Sequence, residues 1–167
     1  TAAATDLNDL DDKTSEDIVV NATNVTGDIA DVTKVFVTNK DNFTGEETKA
    51  VKITDTVAVA AVDVDAIADK TSGVVTANIA AGTAAALNGA LFAGTNEYTL
   101  TVNGATAAAT DLIALNLKTT GKITVDAKEI TGIATEVSTV LDDATSDFIG
   151  EEKAAVKVTD VAAAGAV

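Results

Sequence analysis

The chain contains a second, diverged copy of its own N-terminal part. Residues 1–62 align without a gap onto residues 106–167 and are identical at 29 of 62 positions, so a 105-residue period is written into a 167-residue protein. The shared stretches include TAAATDL (1–7 and 106–112), FxGEE (43–47 and 148–152) and AVKxTD (50–55 and 155–160). A fixed period marks a repeat architecture, in which each unit buries its apolar face against its neighbours. The expected organisation is a single repeat array over 1–167, with 1–62 and 106–167 equivalent and 63–105 as intervening coils.

A finer period lies inside the long one. β-Branched runs fall at Ile18–Val20, Val51–Thr54, Val74–Ala77, Tyr98–Val102, Ile123–Val125 and Val156–Thr159. The spacing of their starts predicts a unit of about 24 residues, with an insertion of about nine in the first and last intervals. Behind each complete run comes an apolar pair spaced three or four residues apart: Val32 and Val35, Val64 and Ile67, Leu87 and Leu91, Leu112 and Leu115, Val137 and Val140. That spacing puts both side chains on one helical face. Thr110-Asp111 supplies a cap of the expected type, and Gly73, Asn96 and Gly121 mark turns.

Strands joined by helical crossovers run parallel, with a right-handed connection. The expected fold is therefore α/β: a right-handed solenoid of ~24-residue coils, each a strand and a short helix, stacking into a parallel sheet. The alternative is a string of all-β immunoglobulin-like sandwich modules, which suits the Thr/Val-rich strands and the long period. It accounts poorly for the helical pairs, and the chain has no Pro for edges and turns.

Composition narrows the chemistry. The chain has no Cys, Met, His, Trp, Pro, Arg or Gln. Without His and Cys it lacks an imidazole base, a thiolate and the usual zinc ligands. No spacing suggests a Ser-Lys pair. Some carboxylate pair among 26 acidic residues will meet glycosidase spacing by chance, so an enzyme is not expected. The net charge of −15 argues against nucleic acid as a partner. No run reaches the roughly 18 apolar residues of a membrane span.

The inserted segments, Val37–Lys49 and Asp142–Ala154, hold the best site candidates. Both keep Phe, Gly and two Glu, which reads as an aromatic plug, a turn glycine and an acidic rim. Asn42, Glu46 and Glu47 in one copy, and Asp147, Glu151 and Glu152 in the other, are oxygen donors of the kind Ca²⁺ takes. The competing reading is that Phe43 and Phe148 fill coil ends while the Glu pairs stay solvated. Asp63-Val64-Asp65 starts like a calcium loop but lacks its glycine and falls in an expected helix. Asn21, Asn24 and Asn42 each begin an N-glycosylation acceptor triplet.

Thr54-Asp55, Leu112-Ile113-Ala114-Leu115, Lys118-Thr119-Thr120-Gly121 and Ile130-Thr131-Gly132 with Val137 form a pattern that resembles tandem repeats of bacterial surface-layer proteins and giant secreted adhesins. The resemblance spans the chain and implies an extracellular or cell-surface role in a coat, filament or adhesive stalk. It transfers no binding residue. Thr at position 1 is expected to mark a processed or excised piece. The first residues read as a helix without its strand and the last as a strand without its helix, so chains are expected to join head to tail, or to neighbouring repeats of a longer chain. The other functional reading is a calcium- or glycan-binding adhesive module.

Overall fold

The computed structural model describes residues 1–91, 94–142 and 147–160. Residues 143–146 of the second supposed insertion and 161–167 of the second repeat copy lie outside the described residues. The fold is α/β, and every strand pair among the described residues is parallel. The chain divides into two compact units: Thr1–Ala80 with Thr95–Thr99, and Ala81–Gly94 with Leu100–Val167. Each unit holds one copy of the long repeat.

In the first unit, β1 (Ala2–Ala3) runs into α1 (Ala4–Asp11). β2 (Ile18–Val19) and β3 (Asn24–Gly27) precede α2 (Ile29–Thr33), which passes into a π-helical turn at Lys34–Thr38. β4 (Phe43–Thr44) and β5 (Ala50–Ile53) precede α3 (Ala61–Ala68), followed by β6 (Val75–Asn78) and the start of β7 (Glu97–Val102). Ala2 pairs with Val25, Val25 with Val51 and Val51 with Val75, so each return takes roughly 24 residues. Ala77 meets Tyr98, and Ile18 meets Phe43, over returns of similar length.

The second unit repeats the scheme. α4 (Ala84–Ala90) is followed by Leu100–Val102 of β7, then β8 (Thr106–Ala108) and α5 (Ala109–Asn116). β9 (Ile123–Val125) and β10 (Glu129–Gly132) precede α6 (Ala134–Leu141), and β11 (Phe148–Ile149) and β12 (Ala155–Val158) come last. One ladder joins Leu100, Ile123 and Phe148. The other joins Ala107, Ile130 and Val156, and both keep the return length of the first unit.

All six expected strands are present within a residue or two, and all ten members of the helical pairs are buried. Helices of five to eight residues are too short to persist alone, so these buried faces hold them. Asp63-Val64-Asp65 lies in α3, where Val64 faces the core. The all-β sandwich alternative is overturned, because parallel pairing with intervening helices is incompatible with its antiparallel sheets.

Three local expectations also need correction. The first residues are not a helix without its strand, because β1 precedes α1 and pairs with β3. The supposed insertions do not exist. Ile18 and Val51 belong to different ladders: Ile18 pairs with Phe43, and Val51 with Val25. The return has its common length in both ladders, and the longer intervals in the sequence each run from one ladder to the other, passing over β3 and β4 in one copy and β10 and β11 in the other. A Thr or Asp just ahead of the helix does cap α2, where Asp28 accepts from Asp31 N, and α4, where Thr83 accepts from Ala86 N, but not α5. Thr110 and Asp111 lie inside α5, whose N-cap Ala108 has no side-chain bond. Instead, Asp55 Oδ2 accepts from Ile29 N at 2.7 Å at the start of α2, and its repeat counterpart Asp160 Oδ1 accepts from Ala134 N at 3.0 Å at the start of α6. The Asp of the AVKxTD motif thus caps the helix of the preceding return, where a carboxylate suits the positive end of the helix dipole.

Candidate functional site

The Phe-Gly-Glu-Glu motif is a short strand followed by a 3₁₀ turn. Phe43 and Phe148 are buried in β4 and β11. Gly45 and Gly150 take left-handed backbones at φ 82° and 88°, and a Cβ on either would lie 3.2 Å from the carbonyl of Val20 or Val125. The turn then drives the first Glu inward. Glu46 is 9% exposed, and its Oε2 has no hydrogen-bond partner. Glu151 repeats the feature, with an unpartnered Oε2. The acidic rim expected at these positions is therefore half a rim: Glu47 and Glu152 are exposed, while Glu46 is buried.

In the first unit this turn borders a cleft of about 510 Å³. Phe36 and Phe43 supply apolar wall, and Glu46 and Glu47 reach it from the turn. Two ion pairs between sequence neighbours complete the lining, Lys40 to Asp41 at 2.6 Å and Lys70 to Asp69 at 2.7 Å. Burial pushes the Glu46 carboxyl above the usual carboxylate range. The neighbouring Glu47 adds to the rise, while the backbone N–H and Lys40 oppose it.

Asn42 and Asp147 are engaged elsewhere. Asn42 Nδ2 donates to Asp11 Oδ1 at 2.8 Å, and Asn39 Nδ2 donates to Asp11 Oδ2 at 2.8 Å. Asp147 Oδ2 accepts from Asn116 Nδ2 at 3.3 Å, with Lys122 Nζ 4.0 Å from its other oxygen. Residues 11 and 42 correspond to 116 and 147, so the second copy keeps the contact while exchanging amide and carboxylate. That exchange is visible in the repeat alignment as Asp11/Asn42 against Asn116/Asp147, a signal that belongs to no known motif. Of the six candidates, Glu46 and Glu47 line this cleft with Asp41 and Asp69, and Asn42 lines a separate pocket of about 70 Å³ with Asp11, Glu16 and Asp17. Among the described residues, no group of three or more acidic side chains is placed to hold a metal ion. No helix there is long and apolar enough to cross a membrane.

A second feature is a difference between the two copies. Phe36, Val51 and Ile53 are 0, 1 and 8% exposed, whereas their counterparts Leu141, Val156 and Val158 are 38, 47 and 49% exposed. In the first unit, α3 packs on the π-helical turn bearing Phe36, and β6 pairs with β5. In the second, β12 pairs with β10 and is the last strand of its ladder among the described residues. One residue of the first unit shows the converse. Leu10 is 51% exposed, while its counterpart Leu115, on a helix that α4 packs against, is fully buried.

Searches against family models, curated proteins and solved structures found no match to this chain.

Proposed function

We propose that this chain is a structural, non-enzymatic repeat module of an extracellular or cell-surface assembly. It would be built as a right-handed α/β solenoid of ~24-residue coils and would add to further repeats head to tail. The constant parallel return within each unit supports the solenoid, because stacked coils give each strand a partner one coil away. The observation that carries the assembly reading is the contrast between Val51 and Ile53, which are covered, and Val156 and Val158, which are half exposed. An exposed parallel edge strand with apolar side chains is a template for pairing.

The segment suited to that edge is also in the sequence. α1 and α3 share one pattern: Ala4, Asp6, Leu7 and Leu10 in the first match Ala61, Asp63, Val64 and Ile67 in the second. The α1 helix of one chain would sit against α6 of another as α3 sits against its own neighbour. Such a contact is heterologous and does not close, so it extends. Sedimentation velocity from micromolar to millimolar concentration tests this. Growth of larger species, removed by Val156→Lys with Val158→Lys, is expected. A chain that stays monomeric throughout would reject the assembly.

A further inference from the structure

We propose that the Glu46 cleft is a binding site for an alkylammonium group, either a free polyamine or the side chain of a protein lysine. The cleft volume of about 510 Å³ falls within the range of small-molecule sites. Its charge balance defines the ligand. Lys40 and Lys70 are balanced in number by Asp41 and Asp69, so the lining carries a net negative charge equal to that of Glu46 and Glu47. Glu46 is the decisive residue. It is nine-tenths buried and lines the cleft, and its Oε2 lacks a donor. A buried carboxylate oxygen without a partner is costly, and a turn of the carboxyl toward the cleft would let a ligand N–H⁺ satisfy it with a charge-assisted hydrogen bond.

The wall of Phe36 and Phe43 favours a ligand with a hydrocarbon stem over a bare hydrated ion. A calcium ion needs six to eight oxygens, and two carboxylates leave most of that shell to water. An ammonium needs only three acceptors, which two carboxylates and one water can provide. The left-handed glycine before Glu46 keeps the backbone turned so that the carboxyl stays inward. Gly150 and Glu151 share that turn, which makes the inward carboxyl a property of the repeat.

The test is calorimetric titration of the full chain with cadaverine, with Nα-acetyl-lysine amide and with calcium chloride, at low ionic strength. One saturable site for the amines is expected, weakened tenfold or more by Glu46→Gln and unchanged by Asp9→Asn. Glu46→Gln removes a buried charge, so a melting temperature at or above that of the parent separates lost binding from lost folding. Glu47→Gln is a second variant, expected to weaken binding by a smaller factor. Tighter binding of cadaverine assigns a free amine, and tighter binding of the lysine amide a protein side chain; both support the site. Absence of saturable binding by either amine, full binding by Glu46→Gln, or Ca²⁺ binding at this cleft in place of the amines would overturn it. Because each titration reads a single chain, failure here leaves self-association untouched.

Discussion

Asp11 and Asn42 trade places with Asn116 and Asp147, and the exchange can be used as an internal experiment. The carboxylate must accept and the amide must donate, and either residue can play either part. Asn42→Asp alone sets a second carboxylate against Asp11, and Asp11→Asn alone leaves one acceptor oxygen where Asn39 and Asn42 each use one, and sets an NH₂ against the other donor. Each single change is expected to cost about 1 kcal/mol. The double variant recreates the second copy's arrangement and should recover much of the loss, giving a coupling of roughly 0.5–1.5 kcal/mol in a urea-unfolding cycle. Glu46 makes a pH prediction. Its carboxyl binds a proton more tightly folded than unfolded, so its contribution is most favourable below the ordinary Glu range and is lost as pH rises through its raised folded value. The groups around it are Glu47, Lys40, Asp41, Asp69 and Lys70. The melting-temperature advantage of Glu46→Gln should therefore grow from about pH 4 to about pH 7, and a constant or shrinking difference would contradict it.

At the scale of elements, the helices were legible because their buried pairs sit at helical spacing in a background of Ala, Thr and Asp. The longer strands were legible through their β-branched runs. β3 and β10 were not. Each buries one large side chain, Val25 or Ile130, flanked by Asn, Glu, Thr and Gly that read as turn chemistry. What holds them is pairing to strands a full return away, which no local window contains. Of the candidate site, the buried Phe and the glycine turn were legible. The inward Glu46 was not, because its burial depends on where the next returns pass. The Lys-Thr-x-Gly corners show the same dependence. Thr71 Oγ1 donates to Lys49 O at 2.6 Å and accepts from Gly73 N at 3.0 Å, and the Thr119 hydroxyl accepts from Gly121 N at 2.9 Å. A Cβ at residue 73 would lie 2.2 Å from that Lys49 oxygen. Gly73→Ala should then cost about 1–3 kcal/mol by forcing two returns apart. Gly89→Ala in α4, where a Cβ meets open space, should be neutral or gain about 0.5–1 kcal/mol. Urea unfolding of the pair checks both, and equal effects would mean that the close approach at Gly73 does not matter.

At the scale of the whole molecule, the two copies report on each other. What is covered in one and bare in the other identifies two faces: Leu141, Val156 and Val158 on the second unit, and Leu10 on the first. Lysines at Val156 and Val158 should keep the chain folded while blocking growth, since both positions are already half exposed. The chain has no cysteine, which allows a direct test of which faces meet. Leu10→Cys and Leu141→Cys chains, prepared separately and mixed under oxidation, should cross-link to each other in preference to themselves, and the double variant should give a ladder of multimers. Cross-links only between like chains, or none at concentrations where larger species form, would contradict head-to-tail assembly.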